Sequence, residues 1–155
     1  MGVTIDKTSV RSPLERMEEG ELRVYLHREV SKTCNAAITA GVQVTLSDGS
    51  TGRFALEETD QINLNQAYSA VLQGAAVFPY HADGELCRLY PAADILAIGD
   101  AATAHKLYHT TYCNHLLRWI DRAQTREELV GIQYGASLPD DLRANMEGVL
   151  NAASA

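Results

Sequence analysis

Apolar residues recur about every 3.6 positions through the first long stretch, the period of a helix with one buried face. They are Leu14, Met17, Leu22, Tyr25, Leu26, Val30, Cys34, Ala37 and Ile38. Ser12 can cap this helix, Pro13 suits its first turn, and Gly41 fits the left-handed position past its end. Gly20 weakens the first half, so a break is placed there.

The period then shortens to two. "VQVTLSDGSTGRFAL" alternates around Asp48-Gly49, a β-hairpin signal with Val42, Val44 and Leu46 on one face and Phe54 and Leu56 paired likewise. "TDQINLNQAYSAVLQG" returns to helical spacing. Thr59 or Asp60 caps it, Ile62, Leu64, Tyr68, Val71 and Leu72 are expected to be buried, and Gly74 closes it. "AVFPYHADGELCRLY" repeats the hairpin design around Asp83-Gly84, and Pro79 restricts its first strand to an edge. Pro91 opens a second long helix, Ala92 to Ala123. Thr125 and Glu128 make a capping box for a short helix that ends by Gly135, and Ser137 to Asp141 starts a last one that runs to about Ala152.

The expected class is therefore α+β. Its order is a long N-terminal helix, two short β-hairpins with a middle helix between them, a second long helix and two short C-terminal helices. Helix and hairpin alternate twice without a residue-level repeat. Residues 1–11, polar and rich in Ser and Thr, read as a flexible N-terminal arm, and 12–155 as a single domain.

Composition changes this picture at three points. No apolar run approaches the ~20 residues that span a bilayer, the first twenty residues hold no apolar secretory segment, and Asp6 stands where a myristoylation motif needs Ser or Thr; no membrane partner is expected. The net charge of −7 argues against nucleic acid, whose phosphates call for clustered Lys and Arg. Cys34, Cys87 and Cys113 are odd in number, far apart and free of any CxxC spacing, which reads as reduced thiols serving as small buried apolar side chains in a reducing compartment.

Candidate chemistry is concentrated in "YHTTYCNHLLRW", Tyr108 to Trp119. Tyr108, Tyr112, Leu116 and Ile120 repeat every four residues, which an amphipathic helix needs for its core face alone. His105 and His109 are four apart, yet Lys106 replaces the Glu of a HExxH motif and no acidic third ligand is near. Cys113 and His109 could touch, but no oxyanion-hole motif or orienting Asp accompanies them. "DQINLNQ" reads first as helix-start hydrogen bonding and second as a polar grip by Gln61, Asn63 and Asn65. "YHADGELCR" gathers His81, Asp83, Glu85 and Arg88 at a turn that needs Asp-Gly in any case. No phosphate loop, nucleotide fingerprint or nucleophile elbow occurs. No enzyme, metal or cofactor is expected.

"CNAAITAGVQVTLSDGSTGRFAL", "DQINL", "PYHADGELCRLYPAADI" and "HKLYHTTYCNHL" resemble, in that order, an uncharacterised domain family of bacteriophage and prophage tail modules. Its members occur in or beside tail-fibre and baseplate genes of phages of gut Firmicutes, and the resemblance covers about Ser31 to Leu150. It implies a virion or tail-assembly role without catalytic residues. Its setting would be the tail, or the host cytoplasm during assembly, with other tail proteins and further copies of the chain as partners. Met17, Val24, Leu26 and Val30 would offer an apolar strip to a partner copy. The competing expectation is a phage-encoded binder of a small polar ligand, for example a host immune nucleotide. Phe78, Tyr80, Tyr108, Tyr112 or Trp119 would then stack a ring, and Arg88 or Arg118 would pair a phosphate.

Overall fold

The computed structural model describes residues 12–155, so the arm expected over 1–11 lies outside the described residues. The chain opens with a single turn, α1 (Pro13–Arg16), whose start is tied by the Ser12 amide donating to Glu15 Oε2 at 2.5 Å. Met17 is extended (φ −73°, ψ 137°), and α2 (Glu19–Thr39) begins after it. The first long helix is therefore broken, three residues ahead of Gly20. Glu18, Glu19 and Glu21 explain the place, since carboxylates favour the positive end of a helix. The helix ends at Gly41, whose φ of +83° and a carbonyl of Phe54 only 2.0 Å from where a Cβ would stand leave room for glycine alone.

Two separate antiparallel hairpins follow, β1 (Val42–Thr45) with β2 (Thr51–Phe54), and β3 (Val77–Tyr80) with β4 (Arg88–Pro91). Between them runs α3 (Glu58–Leu72). Its cap is Glu57, with Asp60 Oδ2 accepting from the Glu57 amide at 3.1 Å, so Asp60 serves the start from inside the first turn. This helix is rotated from the sequence expectation. Leu64, Ala67 and Val71 are buried, while Ile62 and Leu72 are 62% and 67% exposed. Residues 64, 67 and 71 complete a stripe on their own; Ile62 lies about 200° around from Leu64 and cannot share it.

A 31-residue helix, α4 (Ala92–Arg122), organises the rest. At ~1.5 Å per residue it is roughly 46 Å long. Its first half holds Ile95, Ile98 and Ala102 against both hairpins and α3, in a core with Phe54, Leu56, Leu64, Tyr80 and Tyr90. Gly99 permits the closest approach, because a Cβ there would stand 2.2 Å from the ring of Tyr68. Its second half holds Tyr112, Leu116 and Ile120 in another core with Leu22, Leu26 and Val30 of α2. Leu129 of α5 (Arg126–Val130) and Leu142 and Met146 of α6 (Asp140–Ala153) complete that core.

Polar contacts hold the hairpins in place. Buried Asp94, in the first turn of α4, accepts from the amide and hydroxyl of Ser47 at 2.8 and 3.1 Å. Asp83 joins the two hairpins, donating its amide to the Arg53 carbonyl and accepting from the Ala55 amide, both at 2.8 Å. Between the two cores, Cys34 of α2 and Cys113 of α4 form a disulfide with Cα atoms 6.2 Å apart. This corrects the expectation of three reduced buried thiols. Two cysteines are buried and bonded, and Cys87 is exposed. Residues 79 apart gave no spacing signal; helix packing alone brings them together.

Candidate functional site

The middle of α4 is where its core face changes character. His105 donates from Nε2 to the Ala37 carbonyl of α2 at 2.8 Å. Four residues on, His109 packs edge-on against His105 with ring centres 4.5 Å apart. Burial, and secondarily the neighbouring His105, hold His109 below the ordinary histidine range. A neutral His109 accepts at Nδ1 the hydroxyl proton of Tyr134.

Tyr134 and the residues after it fold back over α4. The hydroxyl of Tyr112 donates to the Ala136 carbonyl and accepts from the Gly135 amide at 3.1 Å. Both tyrosines are pushed up in pKa, chiefly by burial, so they stay neutral donors. Three phenol rings result, on two walls. Tyr108 and Tyr112 lie nearly parallel (22°, centres 6.2 Å apart), and Tyr134 stands at 72° to Tyr112 with centres 5.5 Å apart. Leu138, Met146 and Leu150 floor the groove between these walls and α6, and Arg143 and Glu147 stand on its α6 side. Its volume is about 440 Å³, within the ~300–1,000 Å³ of small-molecule sites.

Of the seven residues expected to hold a ligand, Tyr108 and Tyr112 meet in this groove and the others lie elsewhere. Tyr80 is buried with Phe54 and Tyr90. Arg88 lies over the Tyr90 ring, 4.0 Å from its centre. Phe78 is half-buried under α3, near Asn65 and Gln66. Arg118 is exposed on α4 and lies outside the lining of the groove. Trp119 is spent on Glu128, donating at 2.8 Å. The groove thus takes Tyr134, Arg143 and Glu147, which no local pattern singled out.

Of the expected partner strip, Leu26 and Val30 are buried against α4 and Met17 is partly buried; Val24 alone is open, at 60%. Most of that strip is the helix's own core face. His115 is also interior, held at Nδ1 by the Thr111 carbonyl (2.7 Å) and at Nε2 by Asn145 Oδ1 (2.8 Å). With Cys113 bonded to Cys34, no thiolate is available beside His109. Among the described residues, no three of His, Cys, Asp or Glu gather as metal ligands, and no helix is long and apolar enough to cross a membrane.

Comparison with curated proteins and with solved structures finds no match. A family model does match residues 21–136, a span that takes in both hairpins and all three groove tyrosines but stops short of α6. The chain therefore belongs to the DUF4376 family, a domain of unknown function.

Proposed function

We propose that this chain is a non-enzymatic assembly module that works through protein–protein contacts. The carrying observation is a contrast between its two hairpins. They have the same length and pairing, and each turns one face to the core. On the outer face of the first stand Gln43 opposite Arg53 and Thr45 opposite Thr51. On the outer face of the second stand Val77 opposite Pro91 and Pro79 opposite Leu89. Val77 and Leu89 are 46% and 61% exposed, and Leu72 and Leu86 are open as well. Val77, Pro79, Leu89 and Pro91 stay exposed among the described residues, and apolar patches of that kind mark interaction surfaces. Neither proline can donate, so the ladder is closed by Phe78–Tyr90 and Tyr80–Arg88 while the outer face stays smooth and apolar.

The setting we propose is a phage tail or baseplate, in company with other tail proteins and with copies of itself. Its support is the sequence resemblance. The nucleotide-binding alternative lacks support from geometry, because its ring and arginine residues do not converge.

Native mass spectrometry of the purified protein tests this, beside a Val77→Glu, Leu89→Glu double variant. A defined oligomer that the variant reduces to monomer, with an unchanged circular dichroism spectrum, is expected. A wild-type monomer at all concentrations up to about 100 µM would remove self-assembly from the proposal, since stable homo-oligomers form well below that.

A further inference from the structure

We infer that the groove between α4, the Tyr134–Leu138 segment and α6 is a binding site for a quaternary or fully alkylated ammonium ion. It lies apart from the apolar hairpin, and this inference does not rest on the assembly reading.

The first argument is the shape of the aromatic walls. Tyr108 and Tyr112 form one wall and Tyr134 another at a steep angle, as the ring planes above require. A compact cation set in such a corner meets the negative faces of several rings at once, the arrangement that recognises trimethylammonium groups. Two of the rings are fixed beforehand. The Tyr112 hydroxyl is held between Ala136 and Gly135, and that of Tyr134 by His109, so little side-chain freedom is lost on binding. Tyr108, 48% exposed, is the open side of the corner.

The second argument is what the groove lacks. The phenol oxygens of Tyr112 and Tyr134 are already bonded and Leu138, Met146 and Leu150 form an apolar floor, so the side-chain acceptors left in the lining are those of Tyr108, Ser137 and Glu147. A guanidinium with its five N–H donors, or a sugar with several hydroxyls, has more groups to satisfy than these three side chains offer along the apolar floor. An alkylated ammonium has no N–H to satisfy, and its methyl groups suit the apolar floor.

The third argument is charge. Arg143 is paired with Asp140 at 2.9 Å, an exposed contact that offsets part of its charge on the α6 side. Glu147 forms no ion pair among the described residues, so it is the uncompensated charge at the groove. The chain as a whole carries −7, which draws cations and repels an anionic ligand.

The test titrates choline and tetramethylammonium into the full chain and follows the tyrosine ring resonances by NMR. The neutral isostere 3,3-dimethylbutanol runs in parallel, and co-sedimentation with phosphatidylcholine vesicles forms a separate arm. Saturable shifts are expected with both cations. The isostere should bind roughly 3- to 30-fold more weakly, the range that loss of the cation–ring attraction implies. Tyr108→Ala should weaken binding by a similar factor without unfolding the chain, because Tyr108 is half exposed. Glu147→Gln, an exposed and conservative change, should weaken it about two- to fivefold. Binding of the free cations alone assigns a soluble ligand; vesicle co-sedimentation that Tyr108→Ala abolishes assigns a lipid headgroup. No saturable shift up to about 50 mM, equal binding of the isostere, or an unchanged Tyr108→Ala would each overturn the inference. None of these readouts depends on oligomer formation, so the two proposals fail separately.

Discussion

Removing the Cys34–Cys113 bond is the sharpest perturbation the structure offers. The bond joins residues 79 apart and closes a loop that contains both hairpins, α3 and the first two-thirds of α4. In the unfolded chain a closed loop of that size forfeits about 4.5 kcal/mol of conformational freedom on chain-entropy grounds, and measured losses for native disulfides are typically about 2–5 kcal/mol. We expect reduction to cost about 3–4 kcal/mol. With a urea dependence of about 2 kcal/mol per molar, the midpoint should fall by roughly 1.5–2 M. The assay is urea unfolding followed by circular dichroism, with and without reductant, on wild type and on a Cys34→Ala, Cys113→Ala variant. The variant and the reduced wild type should agree to within the small packing loss of two buried sulfurs. Cys87, being exposed, should react with a thiol reagent in every sample and supplies the reference count of one free thiol. Three reactive thiols in unfolded, unreduced protein, in place of one, would refute the pairing. Equal midpoints with and without reductant would refute the energetic argument even if the bond exists.

Other outcomes follow from burial and charge. Leu26→Ala, in the second core, should cost about 2–5 kcal/mol, whereas Val24→Ala two residues away should stay within about 0.5 kcal/mol, both read from thermal or urea unfolding. Gly99→Ala should destabilise by about 1–3 kcal/mol, because the new methyl meets the Tyr68 ring; Tyr68→Ala in the same chain should relieve most of the clash while adding a loss of its own. The Arg122 guanidinium beside Asp141 lowers that carboxyl from 3.8 to about 2. A depressed carboxylate contributes stability above its unfolded pKa and loses it as pH falls, here between about pH 4 and 2. The melting temperature of Asp141→Asn should therefore fall less steeply than wild type across that window. Burial pushes the Tyr80 phenol up to about 12, so its contribution is complete below pH 10 and lost as pH rises through 12. Absorbance at 295 nm should show this ring ionising only with unfolding.

The element order was legible because the residues that enforce it act locally. Asp48-Gly49 and Asp83-Gly84 set the turns, and Thr125 caps α5 by accepting from the Glu128 amide at 3.1 Å. Where five apolar positions spread over two sides of α3, periodicity could not choose a face, and packing on α4 chose Leu64, Ala67 and Val71. Leu26 and Val30 looked available because the sequence does not show that α4 lies across them. The groove was half visible. Tyr108 and Tyr112 share a helix and stand four apart, so their stacking is a local fact. Tyr134 reaches them through a loop, and Arg143 and Glu147 through α6, and such convergence exists only once the chain has folded. In the structure Gly135, at φ +96°, turns the chain directly after Tyr134.

The shared helix α4 also gives the molecule a load path. Force applied at the outer face of the second hairpin enters α4 at its N-terminal end, where β4 runs directly into Ala92. It leaves at the far end, through Leu116 and Ile120 into α2, α5 and α6. About two-thirds of the way along α4, the one covalent crosslink among the described residues ties it sideways to α2. A pull along this axis would meet a rigid shaft, braced so that α2 cannot slide past it, and would strain the four-residue strands of the hairpin first. The end that offers the apolar face would then be the compliant end, and the three-tyrosine groove, set beside the brace where Tyr112 adjoins Cys113, would stay in shape while that end gives.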